Sequence, residues 1–191
     1  MTKILAFAGS SRQNSINQKL VHLAALGAEK EGAHVTIINL ADYPMPLFNH
    51  DLEAEQGMPA KAHEFKKLLI AHDGFLIASP EYNSAFSPLL KNVIDWASRA
   101  EAKDEPLLSA YKGKTAAIMS ASPGGNGGLR GLVFLRMLLS NIGVLVLPEQ
   151  LAVPHAFKAF SKDGSLTDDK QHQAIENIGA KLTQFTKKMN P

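Results

Sequence analysis

The chain has 191 residues, a length that fits one domain with a full hydrophobic core, and its formal charge at neutral pH is +2. Hydrophobic residues make up 45% and charged residues 20%, with basic and acidic residues interspersed, so the composition gives no electrostatic basis for binding nucleic acid or an anionic membrane surface. There is no cysteine, which excludes disulfides, thiolate catalysis, zinc–thiolate sites and iron–sulfur clusters and is compatible with a cytoplasmic protein.

Apolar runs alternate with amphipathic stretches along the whole chain. In chain order, strands are predicted at 3–8, 34–40, 73–79, 114–122 and 144–150, and helices at 16–31, 60–71, 86–99, 129–141 and about 168–188. The stretch 41–58 is predicted to be irregular, and a loop of that length is more often functional than not. The first apolar run is too short for a signal peptide, and no run approaches the roughly 20 residues of a membrane span.

Five strand–helix repeats predict a parallel sheet with helices on both faces. Ligands of such sheets bind at the carboxyl ends of the strands, near the point where the strand order reverses. Three loops lie there, over 9–17, 79–87 and 120–128, and all three are rich in Gly, Ser, Asn and Pro. The functional site is therefore expected where these loops meet.

The loop after the first strand, GSSRQNSIN, has the chemistry of an anion site. A strand-to-helix loop points unpaired backbone N–H groups at one spot, and the helix dipole adds positive potential. Gly9 permits a tight turn, Ser10, Ser15 and Asn17 can donate hydrogen bonds, and Arg12 supplies a charge. The alternative is that Asn14 or Ser15 simply caps the helix.

The same loop lacks both the GxxxxGK[ST] motif and the GxGxxG fingerprint of dinucleotide-binding folds. A phosphate monoester is therefore expected there, as in a flavodoxin-like fold with a mononucleotide cofactor. The corresponding fold prediction is a single domain over 1–191, a three-layer sandwich whose five-stranded parallel sheet has the order 2-1-3-4-5.

The second and third loops can surround a planar heterocycle. Backbone groups at Pro80, Glu81, Tyr82 and Asn83 can bind a pyrimidine edge, and the Tyr82 ring offers a flat face. The segment 120–131 contains five of the fourteen glycines, which indicates that a ligand approaches the main chain closely. Alternatively, PEYN is an ordinary turn and 120–128 a mobile loop.

Together, GSSRQNSIN, PEYNSAFSPLLKNVIDWASR and SASPGGNGGLR resemble the NADPH-dependent FMN reductase family of flavodoxin-like proteins, which includes flavin, quinone, azo-dye and chromate reductases. The resemblance runs from Lys3 to about Val153. It implies an FMN-dependent NAD(P)H oxidoreductase in which the nicotinamide passes a hydride to flavin N5 and a small-molecule acceptor then removes the electrons, with ping-pong kinetics. No catalytic side chain is then required, because the flavin carries the chemistry.

The resemblance also implies which residues bind FMN. The phosphate would be held by Ser10, Arg12, Ser15 and Asn17 together with the backbone around Ser11 and Ile16. Pro80, Glu81, Tyr82 and Asn83 would border the ring, Ser120 would touch it from the third loop, and Pro123, Gly124 and Gly125 would lie nearby.

A homodimer or homotetramer is implied as well, built partly on the helix over 86–99. Leu89, Leu90, Val93 and Trp96 would be apolar on one side of it, and the alternative is that they form plain core. The motifs do not distinguish the physiological acceptor, NADPH from NADH, a prosthetic from an exchanging FMN, or a dimer from a tetramer.

Other functions have weaker support in the sequence. No metal site is expected, because the spacings of His50, Asp51 and Glu53, and of His63 and His72, match no zinc or calcium template. A serine nucleophile is not expected, because GxSxG is missing. Two alternatives stay open, a non-catalytic electron carrier of flavodoxin type and a nucleotide- or phosphate-binding regulatory module.

Overall fold

The computed structural model describes residues 1–161 and 164–190, and its centre is one parallel sheet. The strands of this sheet are β1 (Lys3–Ala8), β2 (His34–Asn39), β3 (Gly74–Ala78), β6 (Thr115–Ala121) and β7 (Leu145–Val153). A separate short hairpin consists of β4 (Glu81–Tyr82) and β5 (Ala85–Phe86). The sheet order is β2-β1-β3-β6-β7 with every pair parallel, so the predicted order 2-1-3-4-5, counted over the five sheet strands, is confirmed.

The helices lie on both faces of this sheet. They are α1 (Ile16–Lys30), α2 (His50–Gln56), α3 (Ala60–Ala71), α4 (Pro88–Ala97), α5 (Leu129–Asn141), α6 (Ala156–Ala159) and α7 (Asp169–Met189). On one face α1 and α7 pack over side chains such as Leu76 and Met119, and on the other α3, α4 and α5 pack over Phe75 and Ile118. Every residue of β3 and β6 is buried, which explains why these strands are apolar throughout instead of alternating.

Two glycines allow α1 and α7 to cross at close range. A Cβ on Gly27 would lie 1.9 Å from the carbonyl oxygen of Glu176, and a Cβ on Gly179 would lie 1.9 Å from that of Ala24. The two backbones therefore touch directly, and any side chain at either glycine would force the helices apart.

The prediction of irregular structure over 41–58 is confirmed for residues 43–49 and wrong for residues 50–56. Residues 50–56 form α2, whose first turn is capped by the Asn49 side chain. The segment before α2 is held on α4, because Trp96 Nε1 and Asn92 Nδ2 both donate to the Pro46 carbonyl, at 2.8 and 2.9 Å. A helix of seven residues is too short for its apolar period to be recognised in the sequence.

The helix over 86–99 is present as α4, but its apolar face points inwards. Leu90, Val93 and Trp96 are completely buried in the core of the protomer, so these three residues cannot form a subunit interface. Leu89 is only partly buried, and Lys91 and Asp95 form an ion pair with each other on the outer face. Among the described residues, none of the helices is both long and apolar enough to cross a membrane.

Candidate functional site

A cleft of about 220 Å³ opens at the carboxyl edge of the sheet, where the loops after β1, β3 and β6 meet. Its volume lies below the roughly 300–1,000 Å³ of most small-molecule pockets, so a bound mononucleotide would stay partly exposed there. The lining residues are Ser10, Arg12, Ser15, Ile16, Asn17, Pro80, Glu81, Tyr82, Ala121, Ser122, Pro123 and Phe157. The three loops predicted from the sequence therefore do form one site.

The first loop presents donors and a cation to the cleft. Ser15 is the N-cap of α1, and its hydroxyl accepts the backbone N–H of Gln18, which leaves the N–H groups of Ile16 and Asn17 without an intrahelical acceptor. Arg12 is exposed, and its guanidinium forms no ion pair within residues 1–161 and 164–190. The loop thus combines the predicted cap with an uncompensated positive charge, which suits an anion.

Gly9 is required by close packing. A Cβ on Gly9 would lie 2.9 Å from Leu90 Cβ. The Gly9 carbonyl oxygen accepts a hydrogen bond of 2.5 Å from the Ser87 hydroxyl. Ser87 also caps α4, since its hydroxyl accepts the N–H of Leu90. This buried serine joins the first loop to the start of α4, and its role has no signal in the sequence beyond a normal N-cap position.

Asn17 connects α1 to the end of β6. Its Nδ2 donates to the Ala121 carbonyl at 3.0 Å and its Oδ1 accepts the Ala121 N–H at 2.9 Å. One N–H of the amide remains, and the side chain lines the cleft. Asn17, predicted as a donor to phosphate, therefore also fixes the distance between the first and third loops.

The second loop folds as a tight hairpin. β4 and β5 are joined through Asn83 and Ser84, which have φ angles of +51° and +69°, and two successive residues in this region form the turn that best matches the twist of a hairpin. Pro80, Glu81 and Tyr82 line the cleft, whereas Asn83 stands at the exposed tip. The Tyr82 ring is about half exposed, which leaves it accessible to a planar ligand.

The third loop lines the cleft with small residues. Ala121, Ser122 and Pro123 line the cleft, and the first two were not predicted. Ser120 is fully buried one layer behind the wall, beneath Gly128, and its hydroxyl has no hydrogen-bond partner among the described residues.

Several predicted contacts are not tested by this arrangement. Ser11, Gly124 and Gly125 are exposed and lie outside the lining set, as Ser120 and Asn83 do. Their contacts with FMN, like those of the lining residues, remain predictions.

Phe157 on α6 completes the cleft and was missed. Its ring is 68% exposed, and α6 is tied to the third loop because the Ala156 N–H donates to the Ser122 carbonyl and the His155 N–H donates to that of Gly124. A four-residue helix has no recognisable period, so only its position after the last strand could have indicated it.

One strongly perturbed carboxyl group, that of Glu105, lies outside the lining of the cleft. Burial raises the pKa of Glu105, but hydrogen bonds from the Glu101 backbone, Lys66 and Ser109 outweigh this and lower it to about 2. Lys66 is almost completely buried and contacts both Glu105 and Glu101. This cluster holds the chain after α4 against α3. Within the described part of the chain, no group of three or more potential ligand side chains is arranged to hold a metal ion.

Comparisons with a family model, with known sequences and with solved structures all find flavin-dependent reductases or quinone reductases. Residues 2–158 match the family model described as NADPH-dependent FMN reductase. The chain is 34% identical to an NAD(P)H-dependent FMN reductase of Pseudomonas aeruginosa, with 91% of this chain and 89% of that protein aligned. It is 31% identical to an NADPH:quinone oxidoreductase of Arabidopsis thaliana, over 97% and 92% of the two chains. Among solved structures, the flavoenzyme NAD(P)H:(acceptor) oxidoreductase of Paracoccus denitrificans superposes with a TM-score of 0.81 at 28% identity, covering 99% of both chains.

Proposed function

The chain belongs to the NADPH-dependent FMN reductase family, and from this premise we propose which of its residues hold the cofactor and how they serve the reaction. It is an FMN-dependent NAD(P)H oxidoreductase that reduces quinones or flavins. The observation that carries the assignment of the site is the convergence of three loops on one cleft. Its lining includes an arginine without an ion-pair partner among the described residues, free helix N–H groups and an exposed aromatic ring.

The residues of the cleft fit FMN. At the first loop, the charge of Arg12, the hydroxyl of Ser10 and the free N–H groups of Ile16 and Asn17 suit a phosphate dianion. At the second loop, main-chain groups around Pro80 and the ring of Tyr82 suit a planar heterocycle with polar edges.

Bound FMN supplies the redox chemistry, because its ring takes up a hydride from NAD(P)H and passes two electrons to the acceptor. The protein's own part is to bind and orient. Arg12 and the N-terminus of α1 fix the phosphate end, while the β4–β5 hairpin and the third loop fix the ring end. Because a cleft of about 220 Å³ is too small to enclose a mononucleotide, we propose that part of the ring stays accessible and that NAD(P)H and the acceptor use this part in turn.

The first experiment is an anaerobic absorption spectrum of the protein, reconstituted with FMN and freed of excess, before and after one equivalent of NADPH. We expect a retained flavin band that bleaches. A retained band that does not bleach would point to an electron carrier instead. If no band is retained, an equilibrium titration distinguishes an exchanging FMN from a wrong site.

We further propose a homodimer or homotetramer. Since most of the apolar face of α4 lies in the core, the contact would involve only Leu89 and its surroundings on that helix. An exposed apolar stripe on α5, made of Leu129, Val133, Phe134 and Met137, supports a larger interface next to the cleft. Light scattering of wild type and of Val133→Glu tests this, because a monomer in both would contradict it.

Two further proposals concern the whole chain. We propose that residues 1–191 form one domain, which is supported by the packing of all the long helices on a single sheet. We also propose a cytoplasmic location, which rests on the cysteine-free composition.

A further inference from the structure

Glu81 lines the cleft, and its carboxylate also reaches the helix that follows the third loop. Its Oε2 accepts a hydrogen bond of 2.9 Å from the backbone N–H of Gly131, in the first turn of α5. The N-cap of α5 is Gly128, which has no side chain to cap the helix. Glu81 therefore satisfies one of the unpaired N–H groups of α5 from 50 residues upstream.

Glycines make this contact possible. A Cβ on Gly131 would lie 3.3 Å from the carbonyl carbon and oxygen of Ala85, in the second strand of the hairpin. A Cβ on Gly128 would lie 1.9 Å from the Ser120 hydroxyl and 3.5 Å from Glu81 Cβ. The first turn of α5 is thus pressed directly against the hairpin on one side and against the end of β6 on the other.

The hairpin itself has little freedom to adapt. Both residues of its two-residue turn have positive φ angles. The second position of such a turn favours glycine, but here it is occupied by Ser84. Tyr82, whose ring lines the cleft, follows Glu81 directly in β4.

We propose that Glu81 is a positioning residue that joins the β4–β5 hairpin to α5 and so holds together the two loops that border the flavin ring. This inference rests on the proposed placement of FMN. If it is correct, different contacts hold the two halves of the cleft in place. The phosphate half depends on Arg12 and α1, whereas the ring half depends on the Glu81–Gly131 hydrogen bond.

The test compares Glu81→Ala, Glu81→Gln and Arg12→Ala, with Glu149→Gln as the matched control. Glu149 is exposed and pairs with Lys181, and neither residue lines the cleft. For each protein, FMN affinity is measured by titration, the ring environment by visible circular dichroism of bound FMN, and the phosphate half by the rise in melting temperature with inorganic phosphate.

Glu81→Ala is expected to weaken FMN binding by about tenfold, the value of one charge-assisted hydrogen bond. It is also expected to change the visible circular dichroism of bound FMN. The rise in melting temperature with inorganic phosphate is expected to stay the same as in wild type. Glu81→Gln keeps an acceptor oxygen and is expected to stay within about threefold of wild type. Arg12→Ala is expected to weaken the binding of both FMN and inorganic phosphate, each by about tenfold.

Three results would overturn the inference: an unchanged FMN affinity in Glu81→Ala, an equal loss of FMN and phosphate in that variant, or no rescue by glutamine. Failure of the wild type itself to bind FMN would instead refute the proposed site, and the inference with it. If Glu81→Ala does not fold, Gly131→Ala replaces it, because the added methyl group pushes on Ala85 while alanine raises helix propensity. Weaker FMN binding without a lower melting temperature supports the inference, and unchanged binding contradicts it.

Discussion

Replacing Asn17 by alanine tests whether this side chain is mainly a phosphate ligand or mainly a connection between loops. The substitution removes two buried hydrogen bonds, of 3.0 and 2.9 Å, and leaves both the N–H and the carbonyl of Ala121 without their partner. An unsatisfied buried polar group costs about 1–3 kcal/mol. We therefore expect the free energy of unfolding of the FMN-free protein to fall by about 3 kcal/mol.

For a protein of this size, each kcal/mol lowers the melting temperature by about 2–4 °C, so the expected decrease is about 6–12 °C. The assay is thermal unfolding of the FMN-free protein, followed by circular dichroism and repeated in urea. Asn14→Ala is the matched control, because Asn14 is an exposed residue of the same loop, and surface substitutions change stability by no more than about 0.5 kcal/mol.

A wild-type melting temperature in Asn17→Ala would refute this reasoning. If only FMN affinity fell in that variant, Asn17 would act as a ligand and the two hydrogen bonds to Ala121 would contribute nothing measurable. Asn17→Asp provides a second check. Its carboxylate still accepts the Ala121 N–H but places an oxygen against the Ala121 carbonyl, so it is expected to be no more stable than Asn17→Ala.

Three other predictions follow from single contacts. Arg12→Ala is expected to weaken FMN binding by about tenfold, which is near the lower limit for a hydrogen bond to a charged group because the Arg12 side chain is exposed. Arg12→Lys is expected to weaken FMN binding by less. Equal FMN titration curves for wild type and Arg12→Ala would contradict this prediction. Gly27→Ala is expected to cost about 2–3 kcal/mol in urea unfolding, because the methyl group meets the Glu176 backbone, and unchanged stability would show that the helices can move apart freely. His72 donates to a main-chain carbonyl and accepts from Thr36, and burial lowers its pKa from 6.5. Its neutral form therefore stabilises the fold above pH 6.5, and this stability is lost as the pH falls through the lowered pKa, so thermal unfolding of His72→Gln should depend less on pH between 7.5 and 5 than that of wild type.

The regular elements could be predicted because their signal is local. The apolar run of β3 and the spaced leucines of α1 lie within a few residues of one another, and the rule that ligands bind at the carboxyl ends of parallel strands identified the three loops without coordinates. Segments too short to show a period, such as α2 and α6, were missed. Phe157 was missed with α6, although it lines the cleft.

The sequence by itself determined the class of fold and which three loops line the cleft, because strand–helix alternation and the residue types of a loop are properties of neighbouring residues. Only the tertiary structure decided how the site is held together. Asn17 meets Ala121 across 104 residues, Ser87 meets Gly9 across 78, and Glu81 meets Gly131 across 50. The tertiary structure also decided that Trp96 lies in the core of the protomer and not in a subunit contact. Such pairings depend on which elements pack side by side, and a polar residue at any of these positions has the same local signal whether it binds a ligand, caps a helix or joins two loops.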